Sequence, residues 1–226
     1  WNGSSWSTAS NCAWTCDAWY TENGGICEIS WHIITWNWNI QHSTAQSKIG
    51  GSSIYFDGTA DYLSIPDSTD WSHGTSDFTY EMWVYPTTDN TDPDDSGWRS
   101  LIHASWLGSI AEIRHNSEAV EMNVGSWLDF NGGSLTINDW NHLAVVMESW
   151  TAKIYINGTL VASATRTSGL ADPTNLKFWK HDSGSGHYFT GYMDEIRVSN
   201  IARYTGNFTP STTAFSAEAN TVLLIH

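Results

Sequence analysis

Carboxylate pairs are the first place to look for chemistry in this chain of 226 residues. Hydrolysis of a glycosidic bond needs two carboxyl groups that flank the scissile bond. Glu118 and Glu121 have the wrong spacing to share one face of a strand, and the neighbours Asp194 and Glu195 are expected to point to opposite faces. The nine His residues do not form the H-E-x-x-H pattern of a zinc hydrolase, and no Ser lies in a G-x-S-x-G turn. The sequence therefore predicts a protein that is not an enzyme.

Aromatic side chains are the candidates for binding. Sugars present apolar C–H faces that stack on aromatic rings, while their hydroxyl groups need polar partners. The candidate ligand-binding residues share a place at strand ends, where the loops of a sandwich gather: Trp106, Trp127, Trp179, His181, Asp182 and Tyr188. Structural packing explains these loop aromatics about as well as ligand contact does. By contrast, Trp83, Trp140 and Trp150 lie inside apolar patterns and are expected in the core.

An acidic run at residues 92–97, DPDDSG, offers oxygen ligands at alternating positions followed by Gly. This order matches the opening half of an EF-hand calcium loop, with Asp92 and Asp94 as candidate Ca²⁺ ligands. The closing acid of such a loop is absent, because the twelfth position is His103. A solvated acidic loop is the simpler interpretation of the same residues.

The overall charge excludes some partners. The chain has 24 acidic and 9 basic residues, for a formal net charge of −15. Such a surface repels phosphate backbones, so nucleic-acid binding is not expected. No apolar run approaches the roughly 18 residues that a membrane-spanning helix needs, so membrane insertion is not expected either.

The start of the chain is rich in Trp and Cys. Cys12, Cys16 and Cys27 lack the paired spacing of a zinc site, so one disulfide with one free thiol is favoured over three reduced thiols in an extracellular protein. The first residue is Trp1 rather than Met, from which we expect a processed or truncated end. No strand or helix period is sustained before Trp31.

The elements that position these residues are predicted to be short strands. Leu143, Val145 and Met147 alternate with Ala144, Val146 and Glu148 along one strand. Residues 153–156 form the next strand and 159–165 the one after it, with Asn157-Gly158 as a tight type I′ turn between them. Residues 77–85 form a long strand with Phe78, Tyr80, Met82 and Val84 on one face. A helical period is absent, apart from a single turn near residues 200–204. More than ten such strands indicate an all-β, two-sheet antiparallel sandwich or jelly roll.

Five motifs in order carry a family resemblance: SIYFDGTADYLSIPD at 53–67, DFTYEMWVYP at 77–86, WNHLAVV at 140–146, IYING at 154–158 and GYMDEIRV at 191–198. Residues 45–226 thereby resemble a laminin-G-like domain of the concanavalin A-like lectin/glucanase jelly rolls, preceded by an N-terminal arm at 1–44. Glucanases of this fold carry a Glu-x-Asp-x-Glu strand, which this chain lacks. Relatives often hold a structural Ca²⁺ ion, and Asp57, Asp61 and Asp194 occupy positions that could share one. The simpler interpretation is a turn cap at Asp57 and a hydrogen-bonded strand carboxylate at Asp194.

The segment ARYTGNFTP at 202–210 is similar to versions found in phage tail-fibre and virion surface proteins. The resemblance implies an extracellular or virion-surface adhesion module, cut from a longer protein or array. With the aromatic residues above, it favours binding of glycans, or of another host-surface receptor, on a host or neighbouring surface. The alternative is an architectural subunit of a capsid or filament, whose N-terminal arm docks on neighbouring subunits, as in a homo-oligomer.

Overall fold

A computed structural model describes residues 20–23, 26–29, 32–88, 99–104, 112–115, 120–123, 129–170, 172, 175–178 and 188–226. Its contacts divide the chain into two compact units, Trp1–His32 and Ile33–His226. In the first unit the described strands are β1 (Tyr20–Asn23) and β2 (Ile26–Ile29), which pair as an antiparallel hairpin. Within the described residues, no helix is long and apolar enough to cross a membrane.

The second unit is a sandwich of two antiparallel sheets, as the sequence predicts. Its first eight strands are β3 (Thr35–Asn37), β4 (Gln41–Ser43), β5 (Ser53–Asp57), β6 (Tyr62–Pro66), β7 (Phe78–Pro86), β8 (Arg99–Ala104), β9 (Glu112–His115) and β10 (Val120–Asn123). The remaining seven are β11 (Asp129–Gly132), β12 (Asn141–Glu148), β13 (Thr151–Ile156), β14 (Thr159–Thr165), β15 (Asn175–Phe178), β16 (Thr190–Ser199) and β17 (Thr221–Ile225).

The two sheets are built from non-consecutive strands. One has seven strands in the order β11-β10-β9-β8-β15-β6-β3. The other is eight-stranded, with the order β14-β13-β12-β7-β16-β5-β4, and β17 pairs with β16 beside β5. Strand β16 is therefore central, because it pairs with β7 along one side and with both β5 and β17 along the other.

The core fills the space between the sheets and follows the alternation of the strands. On β7 the side chains of Phe78, Tyr80, Met82 and Val84 are fully or almost fully buried. Leu143, Val145 and Met147 on β12 pair with β7 in register and are buried on the same face. Burying a large apolar side chain contributes about 1.5–3 kcal/mol, so these seven side chains together stabilise the sandwich strongly.

The hairpin between β13 and β14 forms at Asn157-Gly158, as predicted. Both residues have positive φ, 51° and 78°, which a type I′ turn requires. The Asn157 side chain also accepts a hydrogen bond from the backbone N–H of His142 at 2.9 Å. The turn is thereby tied to the neighbouring strand β12.

A long C-terminal segment covers part of the outer face of the eight-stranded sheet, the face turned away from the other sheet. We call this segment, residues 200–220 between β16 and β17, the C-terminal strap. Tyr204 and Phe208 stack on each other with ring centroids 3.5 Å apart and pack on the buried Tyr155. Thr79 on β7 donates to the Ile201 carbonyl at 2.8 Å. The single helical turn predicted near residues 200–204 is wrong, because no helix or hydrogen-bonded turn forms there and the segment instead contacts the sheet.

Under the strap lies a buried charge cluster centred on Glu81. Its carboxylate accepts hydrogen bonds from Arg197 at 2.8 Å and from the Tyr204 hydroxyl at 2.7 Å. His142 Nε2 lies 3.4 Å from the second carboxylate oxygen. Burial alone would raise the pKa of Glu81, but the His142 ring, the Arg197 charge and the Tyr204 hydroxyl together hold it below its usual value. The strap is therefore held by polar as well as apolar contacts.

Trp83 is buried, as predicted. Two other details, the position of Trp150 and a short helix, differ from the sequence-based expectation. Trp150 is 38% exposed, because it lies in the turn between β12 and β13 with φ 72°, where its ring faces Arg166. A short 3-10 helix, which the sequence did not reveal, forms at Thr69–Trp71 and is capped by the side chain of Ser68.

Candidate functional site

The outer face of the eight-stranded sheet carries a row of aromatic side chains. Cross-strand pairing places Tyr192 of β16 between Tyr55 of β5 and Tyr85 of β7. Trp140 directly precedes Asn141, and Asn141 pairs with Val84, the residue before Tyr85 on β7. Trp140 therefore lies next to Tyr85. We call these four residues, Tyr55, Tyr192, Tyr85 and Trp140, the tyrosine row.

The rings of the tyrosine row contact one another in sequence across the sheet. Centroid distances are 4.9 Å from Tyr55 to Tyr192, 5.8 Å from Tyr192 to Tyr85 and 5.5 Å from Tyr85 to Trp140. Each step is close to the spacing of about 4.8 Å between neighbouring strands, so the sheet itself sets the spacing of the rings. Edge-on and tilted contacts of this kind are the geometry that aromatic pairs prefer.

All four rings are partly exposed, unlike the aromatic residues of the core. Within the described part of the chain, no hydrogen-bond partner is found for the hydroxyl groups of Tyr55, Tyr85 and Tyr192 or for the indole N–H of Trp140. Tyr and Trp side chains combine an apolar ring with a polar tip. The row therefore offers both ring surface and free hydrogen-bonding groups to a molecule in solution.

Acidic residues border the row. Asp57 is exposed at the end of β5 and Asp139 is exposed beside Trp140. Burial raises the pKa of Tyr55, and the neighbouring Tyr192 and the carboxylates of Asp57 and Asp61 raise it further. Tyr55 is thus a neutral hydroxyl at physiological pH.

Trp83 lies next to the row on the same face of the sheet but is buried. It precedes Tyr85 by two residues on β7, and the Lys48 ammonium lies 4.0 Å from its ring centroid. The indole N–H of Trp83 is buried and has no partner among the described residues. Beyond it, His142 makes an edge-on contact with the Trp83 ring and begins the part of the face that the strap covers.

The three carboxylates proposed to share a calcium ion hold backbone N–H groups. Asp61 accepts from Asn39 at 2.9 Å and from Asp57 at 3.0 Å, and Asp57 accepts from Thr59 at 2.7 Å. Asp194 accepts from Lys48 at 2.8 Å and from Ile49 at 2.9 Å. Burial raises the pKa of Asp61 and of Asp194, while these N–H groups lower it in part.

Asp57 and Asp61 lie side by side; Asp57 caps its own turn, while Asp61 and Asp194 accept backbone N–H groups from distant segments of the chain. Among the residues the structure describes, no three His, Cys, Asp or Glu side chains are grouped to hold a metal ion. Asp92 and Asp94 lie outside the described residues. The calcium prediction therefore stays a prediction.

The ligand-binding residues predicted from the sequence fall mostly in other parts of the chain. Tyr188 is partly buried and lies two residues before β16, the strand that carries Tyr192. Five lie outside the described residues: Trp106, Trp127, Trp179, His181 and Asp182. The binding role of all six stays a prediction.

The sequence pattern does not predict the tyrosine row, and Trp140, which was expected in the core, is partly exposed. The sequence contained one signal of the row, because the alternation of β7 puts Tyr85 on the face away from the core. The pairing of β5, β16 and β7, which the sequence alone does not give, was needed to bring the rings together.

Asp194 and Glu195, two of the carboxylates considered for catalysis, are engaged in structure, while Glu118 lies outside the described residues. A β-bulge between Asp194 and Arg197 breaks the alternation of β16, and Glu195 has a φ of 53°. Glu195 accepts the Phe215 N–H at 2.5 Å and lies 2.8 Å from His226 Nδ1. Asp194 caps Lys48 and Ile49, so each of the two neighbours has a structural role of its own.

A family model for the laminin-G type of the concanavalin A-like lectin/glucanases superfamily matches residues 57–205. The chain belongs to this superfamily. The match begins at Asp57 at the end of β5 and ends within the strap, so it spans most strands of the sandwich. No curated protein matches the chain.

Solved structures of the same fold include binding domains of bacterial proteins. The binding domain of Paraclostridial Mosquitocidal Protein 1 has a TM-score of 0.63 at 16% identity, covering 76% of this chain and 45% of that one. Domain 4 of AbnA, an extracellular arabinanase from Geobacillus stearothermophilus solved with arabinotriose, has a TM-score of 0.54 at 18% identity, covering 76% and 82%.

The binding domain of botulinum neurotoxin DC, solved in complex with SialylT, has a TM-score of 0.62 at 13% identity, covering 76% of this chain and 44% of that one. This chain thus spans less than half the length of the two toxin domains. At such identities these likenesses show the sandwich fold alone.

Proposed function

We propose that this laminin-G-like chain is a non-catalytic glycan-binding module that serves adhesion outside the cell or on the surface of a virion. The observation that carries the proposal is the tyrosine row, in which four partly exposed rings lie side by side and their hydroxyl and indole N–H groups have no partner among the described residues. Stacking on sugar C–H faces and hydrogen bonds to sugar hydroxyls need this combination of groups.

Two further facts support the proposal, one for a glycan as the ligand and one for binding without hydrolysis. Domain 4 of AbnA and the neurotoxin DC binding domain were each solved with a sugar ligand, and both share this fold. In addition, Asp194 and Glu195 hold structural partners rather than forming a free pair for hydrolysis. Binding without turnover is the activity that fits these side chains.

A glycan array probed with the full-length chain tests the proposal. We expect binding to a subset of glycans, and we expect Tyr192→Ala, which removes the centre of the tyrosine row, to weaken that binding at least about tenfold. Trp150→Ala is the matched control, because Trp150 is an exposed aromatic residue outside the row. Thermal unfolding of each variant verifies that it is folded.

The array also distinguishes the row from the loops. Loss of binding in Trp127→Ala or Trp179→Ala, with Tyr192→Ala unaffected, would move the site to the loops and contradict the row as its location. Silence of the folded chain across neutral and acidic glycans would contradict the proposed function itself.

An architectural role is the second candidate. Ile33, Trp36 and Trp38 are 75%, 41% and 80% exposed within six residues of one another. Clustered apolar side chains of this kind are typical of surfaces that pack against other proteins. If the chain binds no glycan, and if Trp36→Ser with Trp38→Ser abolishes self-association seen by sedimentation, the architectural role would replace the glycan-binding one.

A further inference from the structure

We infer that the tyrosine row binds the interior of a neutral, linear glycan chain rather than a chain end or an acidic sugar; this inference rests on the proposed function. It concerns the same site, and its two parts, neutrality and chain-internal binding, depend on different observations.

The shape of the row supports binding within a chain. The four rings follow one another across four neighbouring strands at 4.9, 5.8 and 5.5 Å. These steps resemble the length of one sugar unit, so consecutive units of an extended chain can each meet a ring. A site for a chain end would instead need a wall that closes on the terminal unit.

The ends of the row lack such a wall among the described residues. On the side of Tyr55, the next strand, β4, places Gln41 opposite Tyr55, and Gln41 is exposed. On the other side, Asp139 is exposed beside Trp140. In the part of the chain that the structure describes, a glycan longer than the row can therefore continue past either end.

The charges around the row support a neutral ligand. The exposed Asp57 and Asp139 lie at its two ends, and the buried Asp61 lies beside Asp57. The chain as a whole carries a net charge of −15. The nearby Lys48 ammonium is placed over the Trp83 ring rather than over the row. A carboxylated or sulfated sugar would meet repulsion from these carboxylates, whereas Lys48, the described cation beside this face, is held at the Trp83 ring.

The polar groups of the row fit this ligand class. Three phenol hydroxyls and one indole N–H, all without partners in the described part of the chain, are neutral donors and acceptors. Neutral groups of this kind match sugar hydroxyls, whereas recognition of an anion depends on Arg, Lys or clustered backbone N–H groups. The neutral polar groups of the row and the acidic residues around it therefore both favour a neutral ligand.

The first experiment compares soluble polysaccharides by affinity electrophoresis and calorimetry with the full-length chain. The neutral probes are arabinan, galactan, galactomannan and mixed-linkage β-glucan; the acidic probes are polygalacturonate, hyaluronate and heparin. We expect at least one neutral polymer to bind and the acidic polymers to bind at least about tenfold more weakly. Preferred binding of an acidic polymer at the row would overturn the inference while leaving the proposed function intact.

The second experiment uses oligosaccharides of the neutral polymer that binds, from monosaccharide to hexasaccharide. Affinity should rise with each unit up to about the tetrasaccharide, one unit for each ring, and then level off. Blocking the terminal sugar of the polymer should leave affinity within about twofold. Full affinity for a mono- or disaccharide, or loss of binding on blocking the terminus, would show a chain-end site and overturn the inference alone.

Two variants tie these outcomes to the row. Tyr192→Phe keeps the ring and removes the hydroxyl, so it should retain more affinity than Tyr192→Ala if stacking contributes. Asp57→Asn with Asp139→Asn keeps the oxygens that accept the Thr59 and Trp140 N–H groups and removes both charges. This double variant should narrow the difference between neutral and acidic polymers; an unchanged ratio would contradict the electrostatic part of the inference. Absence of binding to every probe would contradict both the inference and the proposed function.

Discussion

His73 is a buried titratable residue at the opposite end of β7 from the tyrosine row. Its ring stacks on Phe78 at 4.2 Å, and Nε2 lies 2.8 Å from the hydroxyl of Tyr80. Burial, and to a smaller extent the nearby Arg166, lower the pKa of His73 from 6.5 to about 4. The folded protein therefore keeps this side chain neutral in a pH range where the unfolded chain protonates it.

The sign of the effect on stability follows from proton binding. Above about pH 6.5 both states are neutral at His73, and its contribution to the free energy of unfolding is fully present. Between about pH 6.5 and pH 4 the unfolded state binds the extra proton, so stability falls as the pH falls, by about 3 kcal/mol in total. The raised pKa values of Asp61 and Asp194 act in the opposite direction.

We predict that His73→Gln flattens this pH dependence. Urea unfolding of the wild type and the variant, measured at several values between about pH 4 and pH 7, should give a smaller decrease toward low pH in the variant. The slope is compared rather than the absolute stability, because the variant changes the contact with Tyr80. Parallel curves for the two proteins would contradict a depressed pKa at His73.

At the scale of elements, the C-terminal strap and the turn between β13 and β14 depend on each other. Phe208 donates its backbone N–H to the Gly158 carbonyl at 2.9 Å. A Cβ atom added at Gly158 would lie 1.9 Å from the Phe208 carbonyl oxygen, so the strap runs directly against the turn. The Asn207 side-chain oxygen also accepts a hydrogen bond from the Leu160 N–H at 2.9 Å. Glycine at position 158 thus serves both the positive φ of the turn and the approach of the strap.

We predict that Gly158→Ala destabilises the protein more than Gly50→Ala does. Gly50 is a matched control, because its φ is 71° compared with 78° at Gly158 and a Cβ there meets nothing within 4 Å. Both variants bear the left-handed backbone cost of about 1–2 kcal/mol, and Gly158→Ala should lose about 2 kcal/mol more from the clash. Urea unfolding measures the difference. Equal losses would mean that the strap is not held against this turn.

The alternation on β7 and the Asn157-Gly158 turn were predictable because each depends on residues close in sequence. The burial of Glu81 was not predictable, since the C-terminal strap that covers it lies far along the chain and shows no strand or helix period. The tyrosine row was out of reach for the same reason, because Tyr55, Tyr85 and Tyr192 come together only through long-range strand pairing. Local patterns therefore give the strands, and non-local pairing gives the site.

At the scale of the whole molecule, the excess of acidic residues opposes the compact state. With 24 acidic and 9 basic residues, folding brings like charges closer than they are in the unfolded chain. The few cations are partly used in ion pairs, including Arg197 with the buried Glu81 and Arg203 with Glu218 at 3.0 Å. The remaining acidic surface has few cations to offset it, and its self-repulsion is what added salt should screen.

We predict that moderate salt stabilises the protein. Raising NaCl from about 10 mM to about 150 mM shortens the Debye length from about 30 Å to about 8 Å, which weakens repulsion between exposed carboxylates. The buried pair of Glu81 and Arg197 is screened much less, so its contribution should persist. We expect the free energy of unfolding to rise by up to about 1 kcal/mol.

Urea is the appropriate denaturant because guanidinium chloride is itself a salt, and KCl should reproduce the effect of NaCl. A decrease in stability with either salt would mean that attractive surface ion pairs outweigh the repulsion.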